Sequence, residues 1–113
     1  MFYKLNGKEI IDCANEQEWH GWHSAVGEER ILAEDHIGDF LVLTVFDGWD
    51  PFDRHGAPQL MFETKVYDGK GDVLYDLGER YATWALAEAG HPRIVSQVRN
   101  LALIGNTRPV EQN

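Results

Sequence analysis

The chain has 113 residues, of which 43% are apolar, and its formal net charge is −9. This length fits a single domain, and four Trp, four Tyr and five Phe suffice for a core without disulfides or metal ions. Residues 1–50 hold eleven acidic and three basic side chains. Because this half repels phosphate backbones, direct binding to DNA or RNA is disfavoured.

The cellular location is predicted from the cysteine content and from the apolar segments. The single cysteine, Cys13, cannot form an internal disulfide, which argues against a secreted, disulfide-rich scaffold. Residues 1–6 lack the charged start and the long apolar run of a signal peptide. The longest apolar run, 40–46, is too short to cross a bilayer. We therefore expect a cytoplasmic protein without membrane contact.

The first part of the chain carries signals for a hairpin and a helix. Residues 2–12 surround Asn6-Gly7, a turn pair that tolerates positive φ, and predict two short paired strands. Asn15 is a suitable N-cap and Gly27 a suitable stop for a helix with one apolar stripe. That stripe consists of Trp19, Trp22 and Val26.

The middle of the chain is dominated by strand signals. The best strand is 39–46, which is apolar on both faces over several residues and is therefore expected at the centre of a sheet. Further strands are predicted over 30–36, over 59–67 and over 73–75, or more loosely 73–81, with a loop at 47–58 and a turn at 68–72.

A second helix is predicted from the cap residue Thr83 to about residue 104. Its apolar stripe consists of Trp84, Ala87, His91, Ile94, Val98 and Leu101. Pro92 lies inside this segment and lacks a backbone donor, so a kink or a break is expected at 90–92. Residues 105–113 are expected to form a flexible tail, which leaves 1–104 as one folded domain.

Together these elements predict an α+β fold with a single antiparallel sheet of about four to six strands and both helices packed on one face. Antiparallel pairing is favoured because short turns join most of the strands. Trp19, Trp22 and Trp84 are expected to share one interior with 40–46. The loop that follows this strand then remains outside.

That loop, DGWDPFDRH at 47–55, has the most unusual composition in the chain. Loops that expose large aromatic side chains are candidates for partner binding, because aromatic anchors dominate interface energetics. The simpler alternative is that its aromatic side chains fold back over the sheet. The spacing of its acidic residues does not match a calcium loop. The predicted partner-binding residues are Asp47, Trp49, Asp50, Phe52 and Asp53.

Two histidines on the first predicted helix are weak candidates for metal binding. His20 and His23 are three residues apart, a spacing that places both on one side of a helix. No third zinc ligand can be named, so surface histidines beside core tryptophans are the simpler interpretation, and no cofactor is predicted. Cys13 is disfavoured as a nucleophile because its surroundings are acidic.

Four motifs follow one another along the chain: Glu18-Trp19-x-x-Trp22, Leu43-Thr44-Val45-Phe46-x-Gly48-x-Asp50, Leu60-Met61-Phe62-Glu63-Thr64-x-Val66-Tyr67 and Arg80-Tyr81-x-Thr83-Trp84-x-x-Ala87-x-Ala89-Gly90-His91. Over about residues 2–98 this pattern resembles a family of small phage and prophage proteins of unknown function. The FET and TW-x-x-A-x-x-GH segments are its most specific parts, and Pro92 departs from it. The resemblance implies an origin in a phage or another mobile element, and it supplies no activity or catalytic residue.

These observations predict a non-enzymatic accessory protein that binds another protein. The expected partner is a host protein with a basic surface, such as a defence or nucleic-acid-processing complex that the chain inhibits. The first alternative is a small enzyme that binds a metal or another ligand through His20 and His23 or through 47–55. The second is a structural homo-oligomer, for example a homodimer that buries an exposed edge strand.

Overall fold

The computed structural model describes residues 2–51 and 57–107. In chain order its strands are β1 (Tyr3–Asn6), β2 (Glu9–Asp12), β3 (Ile31–Ile37), β4 (Phe40–Phe46), β5 (Phe62–Tyr67) and β6 (Glu79–Tyr81). Its helices are α1 (Glu16–Val26) and α2 (Trp84–Thr107), and short 3₁₀ turns cover Gly27–Arg30 and Tyr75–Leu77. The fold is α+β, which confirms the predicted class.

The strands form two antiparallel sheets rather than one. Strands β3, β4, β5 and β6 make a four-stranded sheet in that order, and β1 and β2 pair as a separate hairpin. The prediction of a single sheet is therefore wrong, because the hairpin meets the end of the larger sheet instead of extending it. The Tyr3 amide makes this junction by donating to the Gly48 carbonyl 2.7 Å away, just beyond β4.

One face of the larger sheet packs against α2 and forms the core. Successive strand side chains alternate between the two faces, so every second residue of β4 and β5 points toward the helix. Six of these residues are fully buried: Val42, Thr44, Phe46, Phe62, Thr64 and Val66. Helix α2 contributes Ala87, Ile94, Val95 and Val98 at helical spacing, whereas Leu101 of the predicted stripe is exposed.

Helix α2 continues from Trp84 to Thr107, so the predicted break at 90–92 does not occur. Pro92 lies on the exposed side of the helix. The Glu88 carbonyl, which loses its helical donor there, also belongs to an exposed residue and can bond to water. Of the predicted tail, 108–113 lies outside the described residues. In the part of the chain that the structure describes, no helix has the length and apolar character to span a membrane.

Helix α1 begins and ends where capping chemistry predicts. The Asn15 side chain accepts a hydrogen bond from the Glu18 amide at 2.9 Å, and Gly27 follows the helix with φ +54°. Helix α1 lies against β1, whereas α2 contacts all four strands of the larger sheet. The α1 residue Trp22 reaches the core and meets Phe46 edge to face, with ring centroids 5.7 Å apart.

A chain of hydrogen bonds crosses the core beneath α2 and includes one residue from each strand of the larger sheet. His91 Nε2 is 2.7 Å from Asp35 Oδ2, and His91 Nδ1 is 2.7 Å from Thr44 Oγ1. The Thr44 hydroxyl is 2.6 Å from that of Thr64, which is 2.9 Å from the Tyr81 hydroxyl. Donation in one direction, from Tyr81 toward Asp35, gives every member a partner.

Candidate functional site

The segment directly after β4 is held by backbone contacts on both sides. The amides of Asp47 and Gly48 donate to the Met61 carbonyl at 2.7 and 3.3 Å, and the Gly48 carbonyl accepts from the Tyr3 amide. Gly48 has φ +75°, and a Cβ at this position would lie 2.2 Å from the Tyr3 carbonyl oxygen. Only glycine fits here, so the backbone conformation of Gly48 determines the position of the next residue, Trp49.

The Trp49 ring is 41% exposed and lies against two other aromatic rings. Its centroid is 6.1 Å from that of Phe2, at an interplanar angle of 13°, and 6.5 Å from that of Trp19, at 55°. Phe2 and Trp49 also form a backbone bridge. We call Phe2, Trp19 and Trp49 the aromatic surface. Because these rings pack against one another, Trp49 is held in place at the surface.

Trp19 connects α1 to this loop. Its Nε1 donates to the Asp47 carbonyl at 3.0 Å, and its ring lies 5.1 Å from Phe2. Trp22 and Trp84 pack against the buried cluster around Phe46, as the sequence predicts. Trp19 instead belongs to the aromatic surface, where the Asp47 carbonyl accepts the hydrogen bond of its indole N–H.

A pocket of about 240 Å³ opens beside the aromatic surface. Helix α1 and the loop after β4 contribute its aromatic rings together with one histidine and one aspartate, and β5 and β6 contribute one charged side chain each. Four separate elements of the fold therefore contribute to it. The residues that line the pocket are Trp19, His23, Asp47, Trp49, Pro51, Glu63 and Arg80.

The charged side chains of the pocket form long ion pairs. Arg80 Nη1 is 3.4 Å from Glu63 Oε1, and Arg80 Nη2 is 3.8 Å from Asp47 Oδ2. Arg30 Nη1 is 4.0 Å from Asp47 Oδ1. A charge-assisted hydrogen bond spans about 2.8 Å, so these guanidinium groups attract the two carboxylates without forming short hydrogen bonds to them.

Glu63 is half-buried, and its pKa is raised above the ordinary value. Burial is the largest cause because it disfavours the charged carboxylate, and repulsion from Asp47 adds to it. Arg80 and Lys65 act in the opposite direction without reversing the shift. The unbound protein therefore holds a carboxyl group that is less acidic than usual at the pocket.

Glu63→Gln is expected to raise the free energy of unfolding at about pH 7. Below about pH 4 the difference in stability between this variant and the wild type should disappear. A carboxyl group with a raised folded pKa binds protons more tightly in the folded state. Its contribution therefore favours folding at low pH and is lost as the pH rises from 4.5 through the folded pKa. Urea unfolding at both pH values checks this, with Glu88→Gln on the exposed side of α2 as the control. Lower stability of Glu63→Gln at neutral pH contradicts the expectation.

The structure separates the predicted partner-binding residues. Asp47 and Trp49 both line the pocket. Asp50 is only 8% exposed, and its Oδ2 accepts a hydrogen bond from the Leu60 amide at 2.8 Å. This carboxylate therefore links the two ends of the loop and is not at the surface. Phe52 and Asp53 lie outside the described residues.

His20 and His23 flank the Trp19 ring, and each has its ring centroid 4.8 Å from that of Trp19. His20 Nε2 is also 3.3 Å from Glu16. The pKa of His23 is lowered, chiefly by burial and then by the positive charge of Arg30. Among the described residues, no group of three or more His, Cys, Asp or Glu could hold a metal ion. The two histidines thus pack around the aromatic surface.

Phe2, Glu63 and Arg80 belong to the site although the sequence does not point to them. Glu63 and Arg80 are direct cross-strand partners on β5 and β6, and their pairing depends on the register of two distant segments. The available signal is the alternation within β5, which places Glu63 on the face opposite its buried neighbours Phe62 and Thr64.

Comparison with known proteins leaves the site to be interpreted from its own geometry. No family model, no curated protein and no solved structure matches the chain.

Proposed function

We propose that the chain is a non-enzymatic protein that binds another protein through the aromatic surface and the adjoining pocket. Trp49 is the observation that carries this proposal, since its ring is large, 41% exposed and packed against Phe2 and Trp19. Tryptophan is enriched among the residues that dominate interface energies. A ring that is ordered before binding also loses little side-chain entropy on association.

The partner that fits this chain presents a basic surface. The net charge of the chain is −9, and most of the excess lies in residues 1–50. Asp47 is paired with Arg80 and Arg30 and Asp50 is buried, so the long-range attraction comes chiefly from exposed acids elsewhere in this half, such as Glu28 and Glu29. Charges of this kind steer a partner toward the surface and raise the association rate more than the final affinity.

The resemblance to small phage proteins suggests a biological setting for this function. In that setting the chain is an accessory protein in the cytoplasm of a host cell, and it inhibits a host defence or nucleic-acid-processing complex. The acidic half of the chain competes with nucleic acid for the basic groove of such a complex. The proposal involves no direct contact of the chain with nucleic acid or with a membrane.

Trp49→Ala tests this function in a pull-down from host lysate that is read by quantitative mass spectrometry. We expect recovery of the partner to fall at least about tenfold, because truncation of an interface tryptophan removes a dominant contact. Leu86→Ala removes another large exposed apolar side chain, on α2, and should leave recovery unchanged. Equal recovery with the wild type and Trp49→Ala contradicts the proposal.

A small ligand-binding enzyme is the second candidate, and the raised pKa of Glu63 favours it. A carboxyl group that stays protonated closer to neutral pH can act as a general acid, and this one lies beside Asp47 in a pocket. In the metal-dependent version, an ion bound there or by His20 and His23 raises the melting temperature. An unchanged melting temperature with Zn²⁺, Mn²⁺ and Ca²⁺ removes that version.

A further inference from the structure

We propose that the pocket receives one cationic side chain, a lysine or an arginine, from the partner protein. This inference rests on the proposed function, because it names the group that the partner inserts beside Trp49. The ammonium or guanidinium group lies against the rings of Trp19 and Trp49 and approaches the carboxylates of Asp47 and Glu63. All four of these side chains line the same pocket.

The two tryptophans supply the first attraction. Their ring centroids are 6.5 Å apart and the rings are inclined at 55°, so both border the space that the guest enters. Among aromatic side chains, indole binds a cation over its face most strongly. The methylene groups of a lysine or arginine gain apolar contact with the same rings, which an inorganic cation does not.

The two carboxylates supply the second attraction. Asp47 and Glu63 both approach the Arg80 guanidinium, at 3.8 and 3.4 Å, and repulsion from Asp47 contributes to the raised pKa of Glu63 although Arg80 and Lys65 oppose it. Arg80 and Arg30 approach Asp47 only to 3.8 and 4.0 Å. The carboxylates therefore repel each other in the unbound protein, and a cation beside them relieves that repulsion.

Arg80 lines the pocket, but backbone contacts hold it at the wall. Its Nη2 donates to the carbonyls of Leu60 and Trp49 at 3.3 and 3.4 Å, so a pocket of about 240 Å³ remains open beside it. His23 completes the wall, and its lowered pKa leaves the imidazole uncharged at neutral pH. An uncharged imidazole does not repel a cationic guest.

Guests of other charge fit this pocket less well. A carboxylate is repelled by Asp47 and Glu63, and the Arg80 guanidinium that attracts it already contacts both of them, at 3.8 and 3.4 Å. An uncharged apolar side chain gains contact with the rings but does not relieve the repulsion between the carboxylates. Peptides that carry a cationic, an apolar or an anionic side chain at one position therefore separate the three cases.

The test titrates the protein with capped Gly-X-Gly peptides in which X is lysine, norleucine or glutamate, and NMR follows the indole N–H signals. We expect the lysine peptide to shift the Trp19 and Trp49 signals saturably and to leave those of Trp22 and Trp84 unchanged. Its affinity should fall when salt is added, because salt screens charges. The affinity should also fall as the pH drops, because protonation of Glu63 removes a carboxylate and protonation of His23 adds a repelling charge.

Two variants identify the charged group that binds the peptide. Glu63→Gln keeps the side-chain size and removes the charge, so we expect the lysine peptide to bind about fivefold more weakly or worse. Glu88→Gln removes an exposed acid from α2, and the affinity should stay unchanged. Circular-dichroism melts of both variants verify that each is folded.

Equal shifts with the norleucine peptide, tighter binding of the glutamate peptide, or unchanged affinity in Glu63→Gln would overturn this inference. A different result contradicts the proposed function: Trp49→Ala and the wild type recover the partner equally. If Trp49→Ala loses the partner while the lysine peptide shifts no indole signal, the aromatic surface binds the partner and the proposal of a cationic side chain in the pocket is wrong.

Discussion

Replacing His91 with alanine is expected to lower the free energy of unfolding by about 3 kcal/mol. The imidazole is 5% exposed and bonds to both Asp35 and Thr44, so its removal leaves a cavity beneath α2 and a buried hydroxyl without its acceptor. Urea unfolding at constant pH measures this loss. Ser96→Ala, on the exposed side of the same helix, should change stability by less than about 0.5 kcal/mol.

Thr44 and Thr64 belong to the same buried chain of hydrogen bonds and should behave as a coupled pair. Thr44→Val leaves Thr64 without one of its partners, whereas the double variant removes both facing hydroxyls together. We therefore expect the double variant to cost less than the sum of the single variants, by about 1 kcal/mol. Strict additivity, or a loss under about 1 kcal/mol for His91→Ala, contradicts a continuous buried hydrogen-bond chain.

Gly48→Ala is expected to cost about 3 kcal/mol and to move Trp49 away from the aromatic surface. The added Cβ would lie 2.2 Å from the Tyr3 carbonyl oxygen and 2.7 Å from Trp19 Nε1, and φ +75° is unfavourable for alanine. The backbone can relieve this clash only by separating the hairpin from the end of the larger sheet. That movement breaks the bond between the Tyr3 amide and the Gly48 carbonyl.

Gly38→Ala is the matched control for this contact. Gly38 also has positive φ, at +58°, but a Cβ there would meet nothing within 4 Å. We expect a cost of about 1 kcal/mol from backbone strain alone. Urea unfolding of both variants, followed by tryptophan fluorescence, measures the difference. Equal decreases in the free energy of unfolding for the two variants would show that the close approach at Gly48 does not contribute to the cost of Gly48→Ala.

The elements that the sequence predicts well depend on neighbouring residues. Asn6-Gly7 places the turn between β1 and β2, and Asn15 caps α1, because turn and cap chemistry act within a few residues. The predicted break at Pro92 does not occur, because helix continuity there depends on which side of α2 faces water. The prediction of a single sheet is wrong because the position of the hairpin depends on its junction with Gly48, which lies far along the chain.

The candidate site is less accessible to sequence reasoning than the fold. Trp49 is conspicuous because it stands in a loop rich in acids and breakers. Trp19 and Trp22 share one helical stripe, and only the docking of α1 decides which of them enters the core. Glu63 and Arg80 meet through the register of β6, a strand of three residues whose pairing no local pattern specifies.

The most direct measurement is ¹⁹F NMR of protein labelled with 5-fluorotryptophan, which yields one signal for each of the four tryptophans. Single Trp→Phe variants assign the signals, and a partner recovered in the pull-down is then added. If Trp49 is a surface ring that the partner contacts, its signal and that of Trp19 shift while those of Trp22 and Trp84 stay in place. A complex that forms without a shift at Trp49 contradicts this role.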